Sequence, residues 1–410
     1  MSQTADTIDA FLASRREQAE RFLAELVKVP SDNPHGDCAP HAARAKELLE
    51  ELGLEVETDV VPASLVEAQG MVSITNLIVR RRFGSDGPTI ALNAHGDVVP
   101  PGEGWSHDPY GAEIEGGMMY GRGVAVSKSD FATYTFALLA LNEVADRLTG
   151  TVELHLTYDE EAGGNLGPRR LIETGLSRPD LAIGAGFAYS VVTAHNGCLH
   201  LEVELLGRSA HAARPDTGFD ALEAANGVLT ALYASRRNLQ TRRSKVKGIT
   251  SPTLVVGLIS GGINTNVVPD RIVLRLDRRM IPEERPEDVE AELRKLIENA
   301  VAKFPGVSVR IRQILLARPL TQLPGAARLV ERLTARASEI LETPVGAQGI
   351  PLYTDGRHYA EAGIPCVLYG AGPRDLLEAN AHRADERLAM ADLHAATRVI
   401  AHTLAELLEH

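Results

Sequence analysis

The sequence predicts an α/β protein whose mostly parallel, mixed sheet is flanked by helices and interrupted by a smaller α+β insertion. Three observations point there. Helical and strand-like periodicities alternate through the first half of the chain. Near Cys198 the pattern changes to alternating strands separated by two helices, and beyond about residue 316 it returns to helix and buried strand. At 410 residues the chain is also long for a single core, so two domains are the default.

The elements follow in order. Residues 6–28 place Ile8, Phe11, Leu12, Phe22, Leu23 and Leu26 on one side of a helix that ends before Pro30. A second amphipathic helix over about 40–52 stops at Gly53, and EVETDVV and ITNLIVRR read as strands. Pro88 to Ala94 is a buried strand, followed by a helix over about 130–147, the strand TVELHLTY and the short buried strand DLAIGAG. LHLEVELLG, TLVVGLISG, RIVLRLDRR and VSVRIRQI are then strands, with helices over about 219–237 and 286–304 between them. That βαββαβ order describes a ferredoxin-like unit. It is expected as an insertion over 199–316, the first domain being 1–198 with 317–410. Helices over about 324–342 and 355–362, the strand IPCVLYG and a long helix near 390–408 close the chain.

Composition narrows the function. Apolar residues make 44% and charged residues 24%, as in soluble globular proteins. A net charge of −13 argues against nucleic acid and anionic membranes as partners. Cys38, Cys198 and Cys366 are odd in number and widely spaced, which is no disulfide framework and suggests a reducing compartment. The N-terminal stretch carries acids and no apolar core, unlike a targeting peptide, and no run reaches the ~18 apolar residues of a spanning helix. A cytoplasmic location is expected.

In open α/β sheets ligands collect outside the carboxyl ends of strands, and four such ends here carry suggestive residues. His95-Gly96-Asp97 follows the strand 88–94, placing an imidazole beside an acid able to fix the tautomer of a metal-bound His. TYDEEAGG delivers Asp159, Glu160 and Glu161. Gly186 ends the third strand. Gly370 ends IPCVLYG, and AGPRDLLEANAHRADERL beyond it carries His382 and Glu386. Singly, a strand-end His is usually structural and an acidic run usually a solvated loop. Four at equivalent positions describe a site.

The motifs NAHGDVVPPGEGW, YGRG, TYDEEAGG, GRSAHAARPDTGFDA, NVVPD with RLDRR, YTDGRHYAEAGIP and NAHRADERL occur in this order over essentially the whole chain. In them the sequence resembles the aminoacylase, acetylornithine deacetylase, succinyl-diaminopimelate desuccinylase and glutamate carboxypeptidase family of metallohydrolases. The resemblance implies a metallopeptidase-like catalytic domain and an inserted lid and dimerisation domain. By position, His95 resembles the ligand of one metal and Asp97 its orienting partner. Glu160 resembles the general base, and Glu161 and His382 the ligands of the other metal. His211 resembles an inserted-domain histidine that reaches a neighbouring subunit's site to polarise the scissile carbonyl. Arg279 and Asn266 resemble groups that hold the substrate's carboxylate and the oxyanion, with Arg214 and Gly370 as further substrate contacts.

Two positions depart from the pattern. GRGVAVSKSD resembles GRG-x-x-D-x-K, whose Asp bridges two metals, but Val126 stands at that place. Gly186 stands where the family reads GE or GD. His95, Glu161 and His382 remain, a ligand set for one divalent ion of Zn, Mn or Co type, with Asp130, His195 or a substrate oxygen as substitute donors. The expected function is a metal-dependent amidohydrolase or deacylase cleaving an amide-type C–N bond in a small carboxylate-bearing substrate such as an N-acyl amino acid. The alternative is an inactive homologue that binds a small molecule. Arg279 is the carboxylate holder or an exposed strand arginine paired to Asp277 or Glu283, and the Arg278-Arg279 pair leaves one register step open. The expected assembly is a homodimer through the inserted domain, with LHLEVELLG or the neighbouring helix as interface.

Overall fold

Fifteen strands in three sheets organise the computed structural model, which describes residues 3–409. The first half of the chain contributes β1 (Val56–Val60), β2 (Thr75–Phe83), β3 (Thr89–His95), β4 (Glu113–Glu115), β5 (Met118–Tyr120), β6 (Gly150–Thr157), β7 (Leu181–Gly184) and β8 (Val191–His195). Then come β9 (Gly197–Leu206), β10 (Thr253–Gly261), β11 (Arg271–Met280), β12 (Ser308–Ala317), β13 (Ala347–Ile350), β14 (Cys366–Leu368) and β15 (Arg387–Ala389). An eight-stranded sheet runs β1-β2-β6-β3-β7-β14-β8-β13, a four-stranded sheet β10-β11-β9-β12, and a small one β15-β5-β4.

The large sheet is mixed, with a parallel centre. β3 pairs parallel with β6 and β7, and β7 with β14, while β2 meets β6 antiparallel. β3 is buried from Ile90 onward, as a strand covered on both faces must be, and its buried Asn93 amide is satisfied by the His155 carbonyl at 3.0 Å. The helix Lys128–Asn142 is buried on every side and packs against this sheet as an interior helix. The expected single helix over 6–28 is two helices, Gln3–Ser14 and Arg16–Val27. At the break the Ser14 hydroxyl donates to the Phe11 carbonyl at 2.7 Å, a local bond that competes with the helix ladder. β4, β5, β8, β13 and β15 were not foreseen. All are five residues or fewer, too short to show a period.

The chain divides into two units. One runs up to Thr193 and resumes over Gln322–Gln348 and from Thr354; the other is Ala194–Thr321 with Gly349–Tyr353. The second unit therefore begins five residues before the expected 199 and takes in a distant segment. Hydrogen bonds from Asn196 N to Ile350 O and from Gly349 N to Lys247 O hold that segment in place. Its sheet is antiparallel, with the helices Ala221–Leu239 and Pro286–Val301 between its strands in the order βαββαβ. Leu199, Leu201, Val203 and Leu205 of β9 are buried and the residues between are more open, the period-2 signature of a sheet with one covered face. One expectation is corrected here. LHLEVELLG is β9, which is paired on both sides by β11 and β12, so it has no edge to offer a partner. The edges are β10 and β12, and β10 exposes Val255, Leu258 and Ile259.

Candidate active site

The parallel register sets four strand ends side by side in the larger unit. His95 closes β3 opposite Thr157 at the end of β6. Gly184 of β7 faces Asn93 on one side and Leu368 of β14 on the other. Asp97, Glu160 and Glu161, Gly186 and Gly370 follow within a few residues of those ends.

Asp97 is fully buried and ties two of the ends together. Its carboxylate accepts from Glu160 N at 3.2 Å, Glu161 N at 3.1 Å and the Asn33 amide at 3.0 Å. The His95 ring instead places Nδ1 3.0 Å from the Asp97 backbone carbonyl, with the Asp97 carboxylate at 3.4 Å. A carbonyl only accepts, so Nδ1 carries a hydrogen, and it is the neutral form of this ring that leaves the Nε2 lone pair a metal requires. Burial disfavours charge on His95, but the bond to Asp97 and the fields of Glu160 and Glu161 outweigh it and push its pKa well above the ordinary value.

Glu160 is one of several acids here whose pKa is raised. Burial raises its pKa to about 7, against the opposing field of His95 and with help from Glu161 and Asp97. Glu161 Oε1 lies 3.4 Å from His382 Nε2, and this bond is the main cause of the raised His382 pKa. His382 sits in a left-handed backbone conformation, φ 60°, and its side chain is 49% exposed. Glu386 fixes the loop that carries it. Fully buried, Glu386 accepts from Ala125 N and Val126 N and pairs with Arg122 at 2.5 Å, so the GRGVAV and HRADE loops are clamped together.

Glu161 and His382 stand at a spacing that one divalent ion could span. Two ligands on one tetrahedral ion stand ~3.4 Å apart given metal–ligand bonds of ~2.0–2.2 Å, and the Glu161–His382 pair meets that spacing. His95 does not close on them. Among the described residues, one trio of His, Cys, Asp or Glu brings its donor atoms within 4.8 Å of one another, and it lies in the other unit. Val126 offers no oxygen, and position 186 has no room for one. A Cβ on Gly186 would fall 2.6 Å from Tyr369 N and 2.7 Å from the Leu368 carbonyl carbon. The GE or GD pattern also fits Gly184-Ala185, and Ala185 is equally no ligand.

Asp130, the first of the substitute donors, is otherwise engaged. Asp130 accepts from Ala371 N at 2.7 Å and Gly186 N at 3.1 Å, and burial raises its pKa to about 7. Gly370 lies directly against it, since a Cβ there would meet an Asp130 oxygen at 2.2 Å. His195 turns Nδ1 to the Asn196 carbonyl at 2.9 Å. Sequence reasoning gave no role to Asp355, which is buried in the motif YTDGRHYAEAGIP with neither carboxylate oxygen hydrogen-bonded. Burial, then the fields of Glu160 and Asp159, push its pKa well up.

The family model for peptidase family M20/M25/M40 matches residues 91–406. The chain belongs to that family, whose members hydrolyse amide-type bonds. This M20 chain is 28% identical over 404 residues to an acetylornithine deacetylase of Myxococcus xanthus, covering 98% of each. It is likewise 28% identical over 349 residues to a succinyl-diaminopimelate desuccinylase of Wolinella succinogenes, covering 83% of this chain and 89% of that one. Its fold matches the dipeptidase Dug1p of Saccharomyces cerevisiae with a TM-score of 0.76 at 14% identity over 99% of both chains. It also matches YXEP of Bacillus subtilis, described as a dinuclear metal binding peptidase, with a TM-score of 0.69 at 17% identity over 97% of this chain and 99% of that one. Metal dependence is thus the family's property, and none of the described helices is long and apolar enough to cross a membrane.

The remaining predicted residues lie in the smaller unit. His211 and Asn266 are exposed on adjacent loops joined by a bond from Ala212 N to Asn266 O at 3.0 Å. Arg214 is exposed and paired to Asp216. Alternation settles the two neighbouring arginines: Arg278 is buried with Glu284, whereas Arg279 faces the other way, bonded to Asp277 at 2.9 Å and 5.6 Å from the Tyr353 ring.

Proposed function

We propose that this chain is a metal-dependent amidohydrolase that removes an acyl group from a small, carboxylate-bearing N-acyl amine, using one divalent ion. The carrying observation is Glu160, a carboxyl at a strand end whose pKa lies near 7, where a general base at neutral pH is most effective. Glu161 and His382 would hold the ion, with His95 as third ligand; Zn, Mn and Co all suit such a set. When bound, the ion polarises the scissile carbonyl and acidifies water. Glu160 takes a proton from the attacking water and delivers it to the leaving nitrogen, so the C–N bond breaks to a carboxylic acid and an amine. His211 donates to the oxyanion from a second subunit. Asn266, Gly370 and the Arg279 or Arg214 guanidinium orient the substrate and hold its carboxylate. The names of the two relatives, a deacetylase and a desuccinylase of amino acids, support this substrate class. We assign the dimer to the inserted unit, whose exposed apolar edge β10 is available for pairing, and the protein to the cytoplasm.

Mixed subunits test the assignment. Glu160→Gln and His211→Ala chains, each inactive, regain part of the activity when their subunits exchange. No recovery under demonstrated exchange removes His211 from the neighbouring site. No hydrolysis of N-acetyl or N-succinyl amino acids with any of the three ions would leave the small-molecule binding protein as the better reading.

A further inference from the structure

We propose that Cys198, His200 and Asp277 form a separate metal site, for a zinc-class ion, on the face of the smaller unit's sheet opposite its core. The strand register builds it. Leu199 and Leu201 of β9 are buried in that unit's core, so Cys198 and His200 project from the opposite face. Antiparallel pairing with β11 sets Asp277 directly across from His200, and Arg279 across from Cys198. The three donor atoms converge: Cys198 Sγ lies 3.2 Å from His200 Nε2, His200 Nε2 lies 2.9 Å from Asp277 Oδ2, and Sγ lies 3.9 Å from Oδ2. Bonds of ~2.3 Å to sulfur and ~2.0–2.2 Å to nitrogen and oxygen put tetrahedral ligands ~3.4–3.6 Å apart. The three contacts straddle that value, and a few tenths of an ångström of side-chain movement would seat an ion.

The donor types choose its class. A thiolate, an imidazole and a single carboxylate suit zinc or cobalt, whereas magnesium and calcium demand oxygen ligands. Three protein donors leave a fourth position for water or a small anion. Arg279 grips both Asp277 oxygens, Nε donating to Oδ1 at 2.9 Å and Nη2 to Oδ2 at 3.1 Å, so an ion at Oδ2 would displace the second of these bonds. The cost is the positive charge of Arg279 nearby, which lowers affinity without touching the sulfur or nitrogen donors. None of the three ligands has a part in the proposed hydrolysis, so the two sites stand or fall separately.

Cobalt reports the sulfur directly. The full chain, stripped of metal and titrated with Co²⁺, is expected to show a saturable thiolate-to-cobalt charge-transfer band that Zn²⁺ displaces. Among the described residues neither Cys38 nor Cys366 stands in such a trio of donors, so loss of the band in Cys198→Ala assigns the signal. The band persists in the Glu161→Gln, His382→Ala double variant and vanishes in Cys198→Ala. Because Cys198 is fully buried, His200→Gln at a partly exposed position gives a second reading: cobalt binds more than about tenfold more weakly with circular dichroism unchanged. No thiolate band at saturating cobalt, a band that survives Cys198→Ala, or unaltered affinity in His200→Gln overturns the site.

Discussion

The two candidate sites, one in each unit, use their carboxylates in opposite ways. In the larger one Asp97, Asp130 and Glu386 turn their oxygens to backbone N–H groups of neighbouring loops, and donor side chains stand apart. In the smaller one Asp277 faces an imidazole and a thiol directly. The difference follows from where each group of residues sits. Adjacent strands of a ladder juxtapose side chains through register alone. Loops at strand ends have no such ruler, and buried anions must pin their backbones before any chemistry can be placed there.

The sharpest test of the larger unit separates its one catalytic carboxyl from its clamps. Glu160→Gln should lower kcat by ~10²–10⁴-fold, the usual contribution of a general base, with fold and metal content unchanged. Near wild-type turnover would show that the proton goes elsewhere. The base also sets the pH profile. Glu160 must be ionised to accept a proton, so kcat/KM should climb as pH rises through about 7 and level off above it.

Clamps should instead show up in stability. Glu386→Ala strands the buried Arg122 guanidinium and two backbone N–H groups, which should cost about 3–5 kcal/mol in urea unfolding, the price of orphaning a buried charge. A loss below about 1 kcal/mol would mean that the two loops hold without it.

Asp130 gives a smaller, pH-dependent effect. Its folded pKa, raised to about 7, exceeds the unfolded carboxyl value, so the folded state binds that proton more tightly. The associated stability is complete below the ordinary carboxylate range and is lost as pH rises through 7. Lys128, lowered to about 7 by burial, has the opposite sign, and its contribution disappears as pH falls through 7. Asp130→Asn should therefore flatten the decline of unfolding free energy between pH 4 and 7 by at most about 1.4 kcal/mol per pH unit. An identical slope in the variant would assign that titration to another group.

The strand ends were legible because buried apolar runs stopped abruptly at polar residues: Ala94 before His95, Tyr158 before Asp159. The small unit was legible because its strands keep period two. Distances across loops were not. Nothing in HGD, DEE and HRADE says that Glu161 and His382 approach to 3.4 Å while His95 stays out of that group. The direction of a Cβ at Gly186 depends on how β7 and β14 close, which no local pattern encodes. The Cys198, His200 and Asp277 cluster was invisible for a third reason. Seventy-nine residues separate Cys198 from Asp277, and only the β9–β11 register brings them together.

The last comparison concerns the two lost carboxylates, which the structure makes unequal. Gly186→Glu must push a side chain into the backbone of Leu368 and Tyr369, so it should destabilise the protein and add no ligand. Val126 is only partly buried, and its N–H is already held by Glu386 at 3.1 Å, so its backbone position is fixed by a group other than its own side chain. Val126→Asp should be tolerated and should restore an anion beside Glu161 and His382. Competition against a chelator should then show roughly tenfold tighter metal binding, about 1.4 kcal/mol, with no gain from Gly186→Glu. Unchanged affinity in Val126→Asp would mean that the missing bridge is not what limits this site, and that the separation of His95 from the Glu161–His382 pair is.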